Sequence, residues 1–198
     1  VEAGAEIVPV VQRQIVTLCR KYGKICIVAT QMMASMVESP EPTRAEVSDV
    51  ATATIMGADT VMLSDETANG EYPIEAVQAM RKTIVYCQDN WPVEPVDSRV
   101  VAPERMRRNA IAAAAVSVAE SLDVNAIIAE TKTGGTAANI ASLRPHLPIF
   151  AVTSSARAAQ QLALTYATRS FIRPDGETAG TELGRELLES KYFGDDVT

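Results

Sequence analysis

Short continuous apolar runs alternate with segments of helical period along most of this chain, and the alternation runs twice. Val8, Val11, Ile15 and Leu18 recur at helical spacing, and Lys21, Gly23 and Lys24 supply a basic, glycine-closed end. Ile25-Cys26-Ile27-Val28-Ala29 follows directly. A continuous apolar run of that length after a helix reads as a strand buried on both faces, as parallel sheets contain. Thr43-Arg44-Ala45-Glu46 has the form of a capping box, and Val47, Val50, Ala51 and Ile55 extend an apolar helical face as far as Gly57. Thr60 to Leu63 reads as a second buried strand and Ser64 to Gly70 as a polar loop. Pro73 then opens a helix carrying Ile74, Val77, Met80 and Ile84.

Between Cys87 and Pro103 the periodicity stops amid Pro92, Pro95 and Pro103, which places a boundary there. The alternation then resumes. Ile111, Ala115, Val118 and Leu122 mark a helix, Ala126 to Ala129 a strand, Thr136 to Leu143 a helix, and Pro148 to Val152 a strand. Ala156 to Leu164 reads as a helix, Ser170 to Ile172 as a strand, and Thr181 to Ser190 as a last helix. Gly194 to Thr198 reads as the opening of one more strand. Strands separated by helices of this length need crossover connections, which give an α/β fold with a mostly parallel sheet. The expected organisation is one body over residues 1–88, a linker over 89–103 and a second body over 104–198.

The formal charge of -7 over 198 residues is the wrong sign for a general nucleic-acid binder, since phosphate backbones need a concentrated basic surface. An anionic ligand then requires a local site. Cys19, Cys26 and Cys87 are odd in number, lie within apolar runs and lack CxxC spacing, so neither a disulfide framework nor a zinc site is expected, and a reducing cytoplasm fits. No apolar run reaches the roughly 18 residues that span a bilayer, so no membrane partner is expected. Val1 stands where a start would have Met, so a beginning in mid-protein is expected.

In parallel α/β folds ligands sit where strand carboxyl ends meet helix amino ends. Three segments qualify. Ala29-Thr30-Gln31-Met32-Met33-Ala34-Ser35-Met36 interrupts an apolar stretch with a hydroxyl and an amide. Thr30 there either donates to a substrate oxygen and relays a proton through water, or satisfies nearby backbone. Leu63-Ser64-Asp65-Glu66-Thr67-Ala68-Asn69-Gly70 offers two carboxylates that hold a cation, line a site, or simply form a solvated turn with helix capping. Glu130-Thr131-Lys132-Thr133-Gly134-Gly135-Thr136 joins a strand to a helix. Its hydroxyls, ammonium and open backbone amides suit a phosphate monoester, or else form a glycine turn capped by Thr136. Neither GxxxxGK[ST] nor GxGxxG is present. His146, the single histidine, reads as a loop residue, and Met32, Met33 and Met36 as core filler.

Several of these segments together resemble the pyruvate kinase family. Ala29-Thr30-Gln31-Met32 with Ser35-Met36, then Pro42-Thr43-Arg44-Ala45-Glu46-Val47-Ser48-Asp49-Val50-Ala51, are similar to two of its signatures. Gly57-Ala58-Asp59, Met62-Leu63-Ser64, Glu66-Thr67-Ala68 and Tyr72-Pro73-Ile74-Glu75-Ala76-Val77 follow in the family's order. In the second half, Thr131 to Thr136 resembles the phosphate loop of its effector site. Arg144-Pro145 with Pro148-Ile149 and Ala151-Val152-Thr153 resembles the helix and strand after it.

The resemblance implies the last two strand-helix units of a (β/α)8 TIM barrel over residues 1–88, followed by most of a three-layer α/β regulatory domain. It implies a glycolytic, allosteric, ATP-forming phosphotransferase that moves the phosphoryl group of phosphoenolpyruvate to ADP, then protonates the enolate to pyruvate. Mg2+ and K+ serve as cofactors, in a cytoplasmic homotetramer. On this likeness Thr30 is the active-site threonine, Thr30, Gln31 and Ser64 contact substrate, and Arg44 belongs to a subunit interface. Thr131, Lys132, Thr133, Gly134, Gly135 and Thr136 bind an effector phosphate. The family's catalytic lysine, metal ligands and lid precede the position matching Val1, so the chain alone is expected to be inactive. Two departures stand out: Asp65 where the family has glycine, and Gly135 where some members carry a larger, sometimes basic residue. The alternative is a non-catalytic phosphometabolite-binding or scaffold protein that keeps the regulatory domain.

Overall fold

The structure is a computed structural model that describes residues 4–91, 93 and 103–194. The chain divides into two compact units, Val1–Val96 and Asp97–Thr198. All but the first residue of the strand expected at Gly194–Thr198, and most of the linker expected at 89–103, lie outside the described residues.

In the first unit, helix α1 (Val8–Lys21) carries a proline at its start and Arg20 and Lys21 in its last turn, where cations favour the helix dipole. Gly23, at φ 56°, turns the chain out of it. Strand β1 (Ile27–Val28) leads through a 3-10 turn (Ala34–Val37) to helix α2 (Arg44–Ile55). Strand β2 (Thr60–Val61) pairs parallel with β1, Ile27 beside Thr60 and Val28 beside Val61. A single helical turn, α3 (Asp65–Ala68), precedes helix α4 (Pro73–Asn90). The expected polar loop at Ser64–Gly70 therefore contains a helix.

Val16, Cys26, Val28, Val50, Ala53, Ala76 and Met80 form the core of this unit together with Met32, Met33 and Met36. The three methionines fill space, as their setting predicts. The strand expected at 25–29 to be buried on both faces is buried on one. Cys26 and Val28 point inward, whereas Ile25 and Ile27 are 46% and 45% exposed. The reason is geometric: successive side chains of a strand point to opposite faces, and among the described residues the Ile25–Ile27 face is only partly covered. Beside it, Ile7, Val8, Val11 and Ile15 of the α1 face are also exposed, and they border an apolar groove of about 330 Å³ that runs to Ala29.

The second unit opens with helix α5 (Pro103–Ser121) and continues through strand β3 (Ile127–Glu130), helix α6 (Gly135–Ala141), strand β4 (Ile149–Thr153), helix α7 (Ala156–Leu162), strand β5 (Thr168–Ile172) and helix α8 (Ala179–Glu189). The three strands form one parallel sheet in the order β3-β4-β5. Every residue of central β4 is buried, and the period-two alternation splits it between two cores. Ile149 and Ala151 pack with Ala112 and Val116 of α5, Ile140 of α6 and Leu162 of α7. Phe150 and Val152 pack on the opposite face with Leu183 and Leu187 of α8. Phe150 also meets Phe171 edge-on at 5.6 Å and Tyr192 at 5.5 Å. The unit is thus three layers with a buried parallel sheet, and its strand ends all point the same way.

Candidate functional site

Each unit brings its polar candidates to the carboxyl ends of parallel strands. In the first, the β1–β2 ladder ends where the Met62 amide donates to the Val28 carbonyl at 2.9 Å. Two residues past β1 the backbone turns sharply, with Thr30 at φ 76° and Gln31 at φ 54°. A β-branched residue in the left-handed region is uncommon, and holding it there costs on the order of 1–3 kcal/mol. Thr30, Gln31 and Ser64 are all exposed on this rim, while Met32 and Met33 drop back into the core.

Two glutamates fasten the chain beyond the turn. Glu46 completes a capping box at α2, accepting from the Thr43 amide at 2.7 Å and the Thr43 hydroxyl at 2.8 Å. The same carboxylate accepts from the Ser35 amide at 2.7 Å and the Ser35 hydroxyl at 2.5 Å. Partial burial pushes its carboxyl pKa up, but these bonds from Ser35 and Thr43 outweigh that and hold it below the ordinary glutamate value. Glu66, only 3% exposed, accepts from the Met33 amide at 3.1 Å and the Ser64 amide at 2.7 Å. The carboxylates of the Ser64–Gly70 segment were candidate cation ligands or parts of a solvated turn. Glu66 instead turns both oxygens onto backbone, and among the described residues no group of three His, Cys, Asp or Glu is placed to hold a metal. Arg44 stands exposed at the start of α2.

In the second unit, the loop after β3 contains every member of the candidate phosphate site. Thr131 is buried; its amide donates to the Val152 carbonyl at 2.9 Å, and its hydroxyl accepts from the Thr136 amide at 3.4 Å. Its hydroxyl therefore closes the loop. Lys132, Thr133, Gly135 and Thr136 are exposed. Gly134 sits at φ 87°, and a Cβ there would fall 3.3 Å from Leu162 Cγ, so glycine is required. At Gly135 an added Cβ meets only the Thr133 hydroxyl at 3.8 Å, which leaves room for a larger residue.

Lys132 stands between two hollows. One, about 570 Å³, is lined by Arg108, Ala115, Thr136 and Asn139 among others; the second, about 520 Å³, by Glu130, Thr153, Ser154, Arg173 and Gly176 among others. Arg173 is paired with Glu186 at 2.9 Å. Glu130 accepts from the Gly180 amide at 2.6 Å and so occupies the amino end of α8 itself. His146 is exposed in the loop before β4.

Sequence reasoning named Glu130 only as the start of the candidate loop, and passed over Arg173 and the tether from Glu66. The last joins residues 33 apart, a separation with no local pattern to betray it.

Residues 1–77 match the family described as "Pyruvate kinase, barrel domain", and residues 109–191 match "Pyruvate kinase, alpha/beta domain". The chain belongs to the pyruvate kinase family. It is 41% identical to the pyruvate kinase of Mycobacterium tuberculosis over 201 residues, covering 100% of this chain and 42% of that protein. It is 44% identical to the pyruvate kinase of Staphylococcus haemolyticus over 195 residues, covering 98% of this chain and 33% of the relative. A crystal structure of a pyruvate kinase from Cryptosporidium parvum superposes with a TM-score of 0.84 at 31% identity, over 97% of this chain and 39% of that one. The chain thus spans a third to two fifths of the length of these pyruvate kinases. In pyruvate kinase terms the first unit is part of the barrel and the second the α/β domain. No described helix is long and apolar enough to cross a membrane.

Proposed function

We propose that this chain is part of an enzyme that transfers the phosphoryl group of phosphoenolpyruvate to ADP, giving ATP and, after protonation of the enolate, pyruvate. The observation that carries this reading is the exposed Thr30 hydroxyl, presented at a parallel-strand rim by a left-handed turn that its neighbours hold in place. Strain kept by surrounding structure is a mark of functional positions. On this reading Thr30 relays the proton to the enolate, and Gln31 and Ser64 line the substrate cavity. The Mg2+ and K+ that the family uses would neutralise the transferring phosphoryl group. On this reading the ligands of these ions and the catalytic lysine lie in the part of the relatives' length that this chain does not cover, and residues 1–198 alone do not turn over substrate.

The Thr131–Thr136 loop is proposed to bind the phosphate of a phosphorylated effector. Lys132 supplies the charge, Thr133, Gly135 and Thr136 the exposed donors, and the adjoining hollows room for the rest of the molecule. Arg44 is assigned to a contact between subunits of a cytoplasmic homotetramer.

The decisive experiment is a coupled assay for pyruvate with the full-length protein, phosphoenolpyruvate, ADP, Mg2+ and K+, beside the chain of residues 1–198 alone. Pyruvate from the first and none from the second is expected. A full-length protein that forms no pyruvate yet binds sugar phosphates would instead be a non-catalytic binder.

A further inference from the structure

We infer that Glu66 is a positioning residue for the Thr30–Gln31 turn, an inference that rests on the pyruvate kinase reading of this rim. A charged side chain 3% exposed needs strong partners, and those of Glu66 are two backbone amides. One belongs to Met33, three residues beyond Thr30; the other belongs to Ser64, on the rim of the neighbouring strand. A single carboxylate therefore joins the two strand ends beyond the point where the β1–β2 ladder stops.

The turn between them demands such a tie. Thr30 at φ 76° relaxes to an ordinary negative φ unless both flanks are fixed. On one side Val28 is held by the ladder. On the other Met33 is held by its fully buried side chain and by Glu66. Glu66 is itself firmly placed in α3, whose end is closed by the Gly70 amide donating to the Asp65 carbonyl at 2.8 Å. A Cβ at Gly70 would lie 2.5 Å from the Glu66 carbonyl oxygen, so the chain folds tightly back there. Loosening the tether displaces the Thr30 hydroxyl, and with it the Gln31 and Ser64 backbone that the carboxylate spans. The proton step, which needs the hydroxyl in one exact place, suffers more than binding does.

The test uses the full-length protein with Glu66→Gln and Glu66→Asp. Glutamine keeps one accepting oxygen and turns an NH2 group toward the other amide; aspartate keeps the charge and is too short to reach both amides. For both variants kcat should fall roughly ten- to a hundredfold, with a smaller rise in KM for phosphoenolpyruvate as Gln31 and Ser64 shift. Enzyme-catalysed exchange of pyruvate methyl hydrogens with solvent deuterium should fall in step, and the Met33 amide should lose hydrogen-exchange protection. Leu183→Ala, a core change in the second unit, is the control: it lowers Tm and leaves kcat per folded enzyme intact. If Glu66→Gln does not fold, Glu66→Asp decides. Wild-type kcat and methyl exchange in the folded variants overturn the inference alone; the absence of pyruvate formation by wild type overturns the functional reading beneath it as well.

Discussion

The Glu130 carboxylate and the Gly180 amide meet at 2.6 Å, tying the end of β3 to the first turn of α8. An anion at a helix amino end satisfies an otherwise unpaired donor, and a Cβ on residue 180 would approach Glu130 Oε1 to 2.7 Å. Gly180→Ala should therefore destabilise the wild-type chain by about 1 kcal/mol despite the better helix propensity of alanine. In a Glu130→Ala background the same change should be neutral or stabilising. A double-mutant cycle by urea unfolding checks the reversal of sign; parallel effects in both backgrounds would refute it.

Lys132→Ala should weaken the binding of a phosphorylated effector by roughly tenfold, a loss of about 1.4 kcal/mol from one charge-assisted contact, without altering the fold. Isothermal calorimetry with a sugar phosphate gives the affinity, and circular dichroism the fold. An unchanged affinity removes Lys132 from the site.

Thr30→Val retains the β-branched shape and deletes the hydroxyl. In the full-length enzyme turnover should fall on the order of 10²-fold if that hydroxyl relays a proton. Turnover equal to wild type would make Thr30 a purely structural residue.

Glu46 supplies the pH dependence. Its carboxyl is held below the ordinary value in the folded chain, so the unfolded state binds the proton more readily. Its contribution to stability is present above the unfolded pKa, near 4.3, and is lost as the pH falls through the folded one. Glu46→Gln should cost about 1 kcal/mol near pH 7, and the gap to wild type should narrow in acid below about pH 4. Chemical unfolding at several pH values measures that gap; a constant difference would show that the hydrogen bonds do not depend on ionisation.

Local chemistry was the legible part of this chain. The Thr43–Glu46 capping box and the glycine ends at Gly23 and Gly57 each need only a few neighbouring residues, and the structure forms them where the sequence places them. The helices form where their period places them, but the buried faces differ: Ile111 and Val118 of α5 and Leu122 just beyond it are exposed, while Ala112, Val116 and Ala119 are buried. The period-two division of β4 between two cores follows from its continuous apolar run. Non-local features were not legible. A β-branched Thr30 in the left-handed region runs against backbone preference, and its tether comes from Glu66, far along the chain. The exposure of Ile25 and Ile27 escaped for a related reason: an apolar run shows that a strand seeks cover without showing whether a neighbour is there to supply it.

The apolar flank of the first unit has a practical outcome for anyone handling residues 1–198 in isolation. Exposed Ile25 and Ile27 beside the exposed apolar residues of α1 form an oily patch on which a further molecule can add. Dilute, cold, detergent-containing buffers will then decide whether the preparation stays monodisperse or becomes turbid, and light scattering should rise steeply with protein concentration.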